Sequence, residues 1–556
     1  MAEERTWRER EAAAATRGVL LDPPQEDASG ARAYPTLYVP GHLLITGDPG
    51  PALEVLARAA SELGWRVEPV RLRADRDVEK RGPRSSALTR AVIVQDPDAS
   101  RDEPIDAWRL LQRARRLTAP PRESTQLRRA ADVRLGRRLH LAAALRVPAG
   151  DPLRSVGLEH VLTIDGIGLN PFARTNPFAR TNPFARTNPF ARTNPAADLD
   201  SYSFAGTGGL EVVTYAGPAP VARHGVQPGG RRPVVAVIDT GCGDHPWLRA
   251  RTDDSDEGPW VTARQTAPNA AGVVGIEDAG TDPEVFPDQT GPLEGRLDSS
   301  SGHGTFVCGI VRQTGPDVNI VAARVSDSDG TVLEAELILA LEELLDLMDA
   351  GQLEIDVLNL SLGYYHETPE DGRFSTGLYD LLVDFRSRGV VVVCSAGNDA
   401  TDRPTFPAAL WEGSDPALGL GPEPAGIAPH LSVGALNPSG QSVALFSNIG
   451  PWVRLYAPGT SVLSTLPPSF QGGLSSPASD PRFGLERTLI DPDDYRGGFA
   501  IWSGTSFSAP YVAGTIAQAM SEQLMAADGR PALGFDDTVS LLSKADVWDA
   551  ASRTVG

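Results

Sequence analysis

The chain has 556 residues, of which 41% are hydrophobic, so it is long enough for two or three domains with proper cores. Its formal net charge of −21 and its pI near 4.9 argue against nucleic acid or an anionic membrane as a partner, because both bind basic surfaces. Lysine occurs only at Lys80 and Lys544, so a serine–lysine catalytic pair has almost no candidates.

The first eighteen residues are charged and rich in alanine, without an apolar core of signal-peptide length. No later run reaches the ~18 apolar residues that a membrane span needs. The three cysteines, Cys242, Cys308 and Cys394, are an odd number without metal-type spacing, as expected of reduced thiols. These features predict a cytoplasmic protein with no membrane partner.

Residues 34–165 predict six elements in the order strand, helix, strand, strand, helix, strand. The elements are Leu37–Thr46, Pro51–Leu63, Trp65–Leu72, Leu88–Gln95, Pro104–Leu117 and Leu158–Ile164. This order is that of the ferredoxin-like split unit, a small α+β domain. An arginine-rich stretch, 118–147, interrupts the last step, and a helix over Arg128–Leu145 is predicted to fill part of it. Residues 1–33 are predicted to form an N-terminal arm.

Residues 166–207 are predicted to be an extended linker. It contains four tandem copies of Asn-Pro-Phe-Ala-Arg-Thr, which start at Asn170, Asn176, Asn182 and Asn188. A proline every six residues forbids a regular helix or a central strand. A spacer is the simplest interpretation, with a docking segment or a strip of cleavable bonds as alternatives.

From residue 208 to 556, nearly continuous apolar strand patterns alternate with helical ones. The predicted strands are Val234–Ile238, Val318–Val325, Ile355–Leu360, Val390–Cys394, Leu431–Ala435 and Val453–Tyr456, and the main helices are Leu333–Met348 and Leu378–Arg388. This alternation predicts an α/β domain with a doubly wound, mainly parallel sheet. Asp239, Ser361 and the segment Ser395–Asn398 follow carboxyl ends of strands, where open α/β sheets hold their sites.

Three short motifs contain the groups needed for nucleophilic catalysis. They are Asp239-Thr240-Gly241, His303-Gly304-Thr305, and Gly504-Thr505-Ser506 followed by Ala509-Pro510. Ser506 precedes the apolar segment Tyr511–Met520, which predicts a hydroxyl at a helix N-terminus, where developing negative charge is favoured. The chain order Asp, His, Ser is that of subtilisin, and differs from that of chymotrypsin and of the α/β-hydrolases.

These motifs resemble the subtilisin-like serine peptidases, the subtilase family. The resemblance covers roughly Gly208 to Ala551 and includes Ser395-Ala396-Gly397-Asn398, Asn359-Leu360-Ser361-Leu362-Gly363 and Phe446-Ser447-Asn448-Ile449-Gly450. It implies a subtilisin-type fold and a serine endopeptidase acting on protein or peptide substrates, with no required cofactor.

The resemblance also implies the roles of single residues. Asp239, His303 and Ser506 would be the catalytic triad, and Asn398 would donate a hydrogen bond to the oxyanion. Ser361, Leu362 and Gly363 would pair with an extended substrate. The N-terminal unit would be a propeptide that inhibits the catalytic domain intramolecularly, with an unrelated regulatory domain as the rival interpretation.

The same motifs and loops have other interpretations. An Asp-Thr-Gly motif also marks aspartic peptidases, but those need two carboxylates at one site, and no second Asp-Thr/Ser-Gly is present. A non-catalytic peptide-binding protein of subtilase fold would normally have lost the serine, histidine or asparagine. The acidic segment Asp253–Glu257 and the insertion Ser461–Phe499 are predicted to be solvated loops, with a structural Ca²⁺ site as the alternative.

Overall fold

A computed structural model describes residues 18–21, 33–72, 88–99, 103–118, 151–164, 209–249, 259–263, 274–276, 278–290, 295, 297–368, 376–414, 418, 420, 422–543 and 547–549. Structural statements below refer to these residues. Most of the N-terminal arm, the predicted helix Arg128–Leu145, the four repeats and the acidic segment Asp253–Glu257 lie outside them.

The N-terminal unit is an antiparallel sheet packed against two helices. Its elements are β1 (Val19–Leu20), β2 (Leu37–Ile45), α1 (Gly50–Leu63), β3 (Trp65–Arg71), β4 (Thr89–Gln95), α2 (Ala107–Thr118) and β5 (Val156–Ile164). The strand order β5-β2-β4-β3, antiparallel throughout, is the ferredoxin-like split unit predicted from the sequence. Strand β1 pairs with β2, so part of the predicted arm adds to this sheet.

The C-terminal unit is built around a second sheet. Its elements are β6 (Glu211–Val213), β7 (Val234–Asp239), α3 (Pro246–Arg249), β8 (Val261–Ala263), a 3₁₀ turn (Ala279–Thr281), α4 (His303–Thr314), β9 (Asn319–Arg324), β10 (Thr331–Leu333), α5 (Glu334–Asp349), β11 (Val357–Leu360), β12 (Leu362–Gly363), α6 (Thr376–Ser387), β13 (Val391–Ser395), β14 (His430–Leu436), β15 (Leu455–Pro458), β16 (Val462–Thr465), β17 (Phe499–Trp502), α7 (Thr505–Met525), α8 (Phe535–Leu542) and β18 (Trp548–Asp549).

The main sheet has the order β18-β15-β14-β13-β11-β7-β9-β8 in the described part of the chain. Its pairs are parallel except β15 with β18. One buried apolar cluster joins the sheet to α5 and α6, and another joins it to α4 and α7. Helices therefore cover both faces of the sheet, as a mainly parallel sheet requires. The predicted doubly wound, mainly parallel sheet is confirmed.

The insertion predicted as a solvated loop begins and ends as regular structure. Its first residues form β16 and its last residue opens β17, and these strands make a small antiparallel sheet with β6. The stretch between the two strands also contributes to the core, since Leu466, Phe470 and Tyr495 are buried in the apolar cluster that contains α4 and α7. None of the helices in the described part of the chain combines the length and apolarity that crossing a membrane requires.

Strand β5 joins the two units. Its first half pairs with β2, and its last residues run antiparallel to β10 and β12 of the C-terminal unit. Leu162 and Ile164, which share one face of the strand, are buried in the apolar cluster that contains Val332 and Leu362. The two units are thus linked by strand pairing as well as by side-chain packing.

A buried charge anchors the start of β7. The Asp356 carboxylate accepts two hydrogen bonds from Arg231, at 2.6 and 2.7 Å, and one from Nε of Arg530 at 2.8 Å. It also accepts the backbone N–H of Val234 at 2.9 Å. Since β7 carries Asp239 at its other end, this cluster fixes the strand from which the candidate triad is built.

Substitution of Asp356 by alanine should lower the free energy of unfolding by about 3 kcal/mol. This is the low end for a broken buried pair, because Arg231 and Arg530 remain 31% and 20% exposed and partly hydrated. The matched control is Asp349→Ala, whose carboxylate pairs with Arg388 on the surface and should contribute below about 1 kcal/mol. Urea unfolding measures both, and equal effects would contradict the anchoring role.

Candidate active site

Asp239 and His303 are hydrogen-bonded to each other. Asp239 ends β7, and its Oδ1 lies 2.8 Å from Nδ1 of His303, the first residue of α4. Both side chains are fully buried. A carboxylate on Nδ1 holds the proton there and leaves Nε2 as the basic nitrogen.

Aromatic rings hold the His303 imidazole in place. Its centroid lies 5.6 Å from that of Trp502 and 5.2 Å from that of Phe507. Gly302, immediately before the helix, has φ of +81°, and a Cβ there would lie 2.6 Å from Leu466. Glycine at this position therefore allows α4 to begin in close contact with the Leu466 side chain.

Ser506 lies in the first turn of α7, as predicted. Pro510 lacks the N–H that would bond the Ser506 carbonyl in a regular helix, and the Ser361 hydroxyl donates to that carbonyl instead at 2.9 Å. In return, Ser506 Oγ donates to the Ser361 carbonyl at 3.3 Å. His303 Nε2 makes no hydrogen bond to the described residues, so the His303–Ser506 bond that the chemistry requires is not formed in this arrangement.

Asn398 is tied to the start of the same helix. Its Oδ1 accepts the Thr505 N–H at 2.9 Å, and Thr505 Oγ1 accepts the Gly397 N–H at 3.0 Å. Asn448 braces the segment by donating to the Ala396 carbonyl at 2.8 Å. Because the amide oxygen of Asn398 faces the helix, its nitrogen is the end that can donate to another group.

The predicted substrate-pairing residues meet a strand of the same chain. Ser361 lies beside Ser506, whereas Leu362 and Gly363 form β12 and pair with Ile164 and Thr163 of β5. Ile164 N–H also donates to the Gly330 carbonyl, next to β10, at 2.9 Å. The end of β5 therefore occupies the slot between β10 and β12.

A buried charged cluster, not predicted from the sequence, lies where the units meet. Nδ1 of His160 in β5 is 2.7 Å from Glu334, and Nε2 is 2.8 Å from Glu367. Burial opposes the charged imidazole, but the two glutamates outweigh it and raise the pKa of His160 to about 9. The glutamates belong to the C-terminal unit, so no local sequence pattern links them to this histidine.

Part of this cluster also has the residue types and spacing of a metal site. Among the described residues, one group of histidine and acidic side chains has ligand atoms close enough for a metal ion, namely His160, His366 and Glu367. These residues belong to neither segment that the sequence offers as an alternative for Ca²⁺, so a Ca²⁺ site stays a prediction. Cys308 is buried in α4, and a hydrogen bond with Cys242 together with burial raises the pKa of its thiol.

The sequence matches the Subtilase family over residues 230–529, which is more than half of the chain. The chain therefore belongs to the subtilase family. The predicted resemblance and the subtilisin-type fold class are confirmed.

Several known proteins are similar to the chain. It is 28% identical over 314 residues to the intracellular serine protease of Paenibacillus polymyxa, a match covering 52% of this chain and 66% of that protein. It is 27% identical over 326 residues to an extracellular protease of Xanthomonas campestris pv. campestris, covering 52% and 44%. A solved cold-adapted subtilisin-like serine proteinase is 23% identical, covers 56% of this chain and 81% of its own, and has a TM-score of 0.32. The chain spans less than two thirds of the length of both relatives.

Replacing Asn398 by alanine should lower kcat by ~10² to 10³ with little change in KM, because an oxyanion donor meets charge that exists only in the transition state. Steady-state kinetics on a peptide substrate measures both constants. A fall in substrate affinity with kcat preserved would instead make Asn398 a binding residue.

Proposed function

We propose that the protein is a serine endopeptidase in which Asp239, His303 and Ser506 form the catalytic triad. The observation that supports this most directly is the buried hydrogen bond of 2.8 Å between His303 and Asp239, beside a helix whose second residue is Ser506. Membership of the subtilase family supports the same chemistry.

Each group has a role that its position supports. His303 Nε2 takes the proton of Ser506 as Oγ attacks the substrate carbonyl, and Asp239 stabilises the imidazolium that results. The Asn398 amide and the Ser506 N–H then donate to the oxyanion at the positive end of α7. His303 returns the proton to the leaving amine, which leaves the acyl group as an ester on Ser506. His303 then takes a proton from water as the water attacks this ester, and gives it to Ser506 Oγ as the acid product leaves.

A fluorophosphonate probe should label Ser506 once residues 1–206 have been removed. The Ser506→Ala variant should take no label and show no turnover while keeping the unfolding midpoint of the wild type. Mass spectrometry of the labelled peptide identifies the site. Absence of label from the folded wild type would favour the non-catalytic, peptide-binding alternative.

We further propose that residues 34–165 act as an intramolecular inhibitor, joined by the linker 166–207 to the catalytic domain 208–556. The pairing of β5 with β10 and β12 supports this, because an added strand there would occupy the place of an extended substrate. The linker makes the contact intramolecular, so its effective concentration is roughly millimolar.

Because the two relatives bear the names intracellular and extracellular, the cytoplasmic location stays a prediction.

The charged cluster gives this contact a pH dependence. His160 is charged between Glu334 and Glu367 in the docked form. Other charged or titratable groups around it are Tyr38, Arg115, Tyr364, His366 and Arg403. Because the docked pKa of His160 is raised from 6.5 to about 9, its contribution is complete below pH 6.5 and is lost as the pH rises through 9. Burial lowers the pKa of Arg403 to about 10, which acts in the opposite direction, because a cation whose docked pKa is lowered favours docking as the pH rises.

The full-length chain should therefore be latent at neutral pH and become active when the segment between Gly168 and Gly208 is cut and the N-terminal unit dissociates. Residues 1–165 added in trans should inhibit the cut enzyme at about pH 7 and at least tenfold more weakly at about pH 9.5. Inhibition constants measured at the two pH values test this.

Two variants serve as controls. His160→Gln cannot be charged, so its inhibition should be weak at both pH values, whereas His42→Gln alters a histidine–glutamate pair within the N-terminal unit and should inhibit as the wild type does. Equal activity of the intact and cut chains, with no inhibition in trans, would favour an independent regulatory domain. Autocatalytic cutting further requires that the Ser506→Ala chain stay whole.

A further inference from the structure

A buried carboxyl group lies next to the triad without a part in the mechanism above. Glu284 follows the 3₁₀ turn Ala279–Thr281 and is 1% exposed. Its Oε1 accepts the Thr240 hydroxyl at 2.5 Å, and its Oε2 accepts the Thr305 hydroxyl. Thr240 directly follows Asp239, and Thr305 comes two residues after His303. The Glu284 carboxylate therefore contacts both the turn after Asp239 and the first turn of α4, which begins with His303.

The same two hydroxyls connect these elements to each other. Thr240 Oγ1 accepts the Gly304 N–H at 2.7 Å, and Thr305 Oγ1 accepts the Gly243 N–H, also at 2.7 Å. The backbones are in contact here, since a Cβ on Gly304 would lie 2.1 Å from the Gly241 carbonyl oxygen. The turn after Asp239 and the first turn of α4 are thus joined reciprocally.

The charge of the Glu284 carboxylate decides in which direction the two threonine hydroxyl protons point. A threonine hydroxyl has one proton to donate, and an ionised carboxylate can only accept. When Glu284 accepts both hydroxyl protons, the oxygens of Thr240 and Thr305 present lone pairs to the two backbone amides. The ionised side chain thus fixes the direction in which both hydroxyl protons point.

We infer that Glu284 is a positioning residue that holds the Asp239 turn and the His303 helix together and keeps the Thr240 hydroxyl directed away from Asp239. The inference rests on the proposed roles of Asp239 and His303. It deepens that function by adding a residue that acts through the triad without contacting substrate.

The neutral acid would disturb the triad in a specific way. Thr240 Oγ1 lies 3.3 Å from Asp239 Oδ1, the same oxygen that is 2.8 Å from His303 Nδ1. A proton on Oε1 of Glu284 turns that oxygen into a donor to Thr240, and the hydroxyl proton of Thr240 then turns towards Asp239. Asp239 Oδ1 would share its charge with a second hydroxyl, and its bond to His303 would weaken.

The groups around Glu284 raise its pKa into the pH range in which enzymes work. Burial raises the pKa of Glu284 to about 7, against the two hydroxyl bonds and with the help of the neighbouring charges of Asp282 and Asp239. The other titratable groups that face it are His303, Cys242 and Cys308, from α4 and the turn before it. The ionised, positioning form therefore prevails above about pH 7 and the neutral form below it.

Glu284→Gln tests the inference, because glutamine offers one donor and one acceptor and so imitates the neutral acid. In protein activated by cutting the linker, kcat at about pH 8 should fall roughly tenfold, with KM within about twofold of the wild type. The acid limb of log kcat against pH should contain two ionisations in the wild type and one in the variant. Glu342→Gln, a buried carboxyl of α5, is the matched control and should leave kcat and the pH profile unchanged.

Two kinetic outcomes would overturn the inference. One is a Glu284→Gln enzyme with the kcat and acid limb of the wild type. The other is a parallel loss in kcat, affinity and unfolding midpoint, which a structural role alone would produce.

A second readout does not depend on activity. The downfield proton resonance of His303 Nδ1–H reports its bond to Asp239, and in the full-length Ser506→Ala chain it should move upfield when Glu284 is replaced by glutamine. A shift in a protein whose wild type is inactive would reject the proposed peptidase and keep the coupling. An unchanged resonance with an active wild type would reject the role of Glu284.

Discussion

The convergence of parallel strands at one edge of the main sheet is the constraint on which the candidate site depends. Strand β11 lies between β7 and β13, and all three run in the same direction. Asp239 ends β7, and Ser361 and Asn398 follow the ends of β11 and β13, so the sheet alone gathers a carboxylate, a backbone edge and an amide. The N-termini of α4 and α7 then bring His303 and Ser506 to the same edge, where the helix dipole favours negative charge.

Strands β10 and β12 of the C-terminal unit each have an edge that pairs with β5 of the N-terminal unit. Strands β10 and β12 present backbone groups on either side of a slot, and buried backbone groups must be paired. Strand β5 satisfies both edges while remaining part of the N-terminal sheet. Its own His160 enters between two glutamates of the other unit, so the contact combines strand pairing, apolar burial and a compensated charge.

Much of the fold followed from the sequence because its signals are local. The apolar runs of the main sheet and the order of elements in the N-terminal unit matched the structure to within a few residues. The grouping of Asp239, His303 and Ser506 was predicted from three motifs and their family resemblance, and of its contacts the Asp239–His303 hydrogen bond is present. The roles of Ser506 and Asn398 stay predictions.

Other features depend on contacts between distant residues and left no local pattern. Glu334 and Glu367 are separated from His160 by 174 and 207 positions, so their pairing exists only once both units have folded. Glu284 lies in a loop without a recognisable motif, and its relation to Thr240 and Thr305 comes from the approach of two separate turns. The insertion after Ser461 was predicted as a loop because its prolines and glycines outweighed the short strands at its ends.

In the intact protein β5 occupies the slot between β10 and β12. Hydrogen exchange of the backbone amides in residues 331–333 and 361–363 tests it most directly, before and after removal of the N-terminal unit from the cut Ser506→Ala chain. We expect strong protection in the full chain and much faster exchange after removal. Identical exchange in the two forms would contradict it.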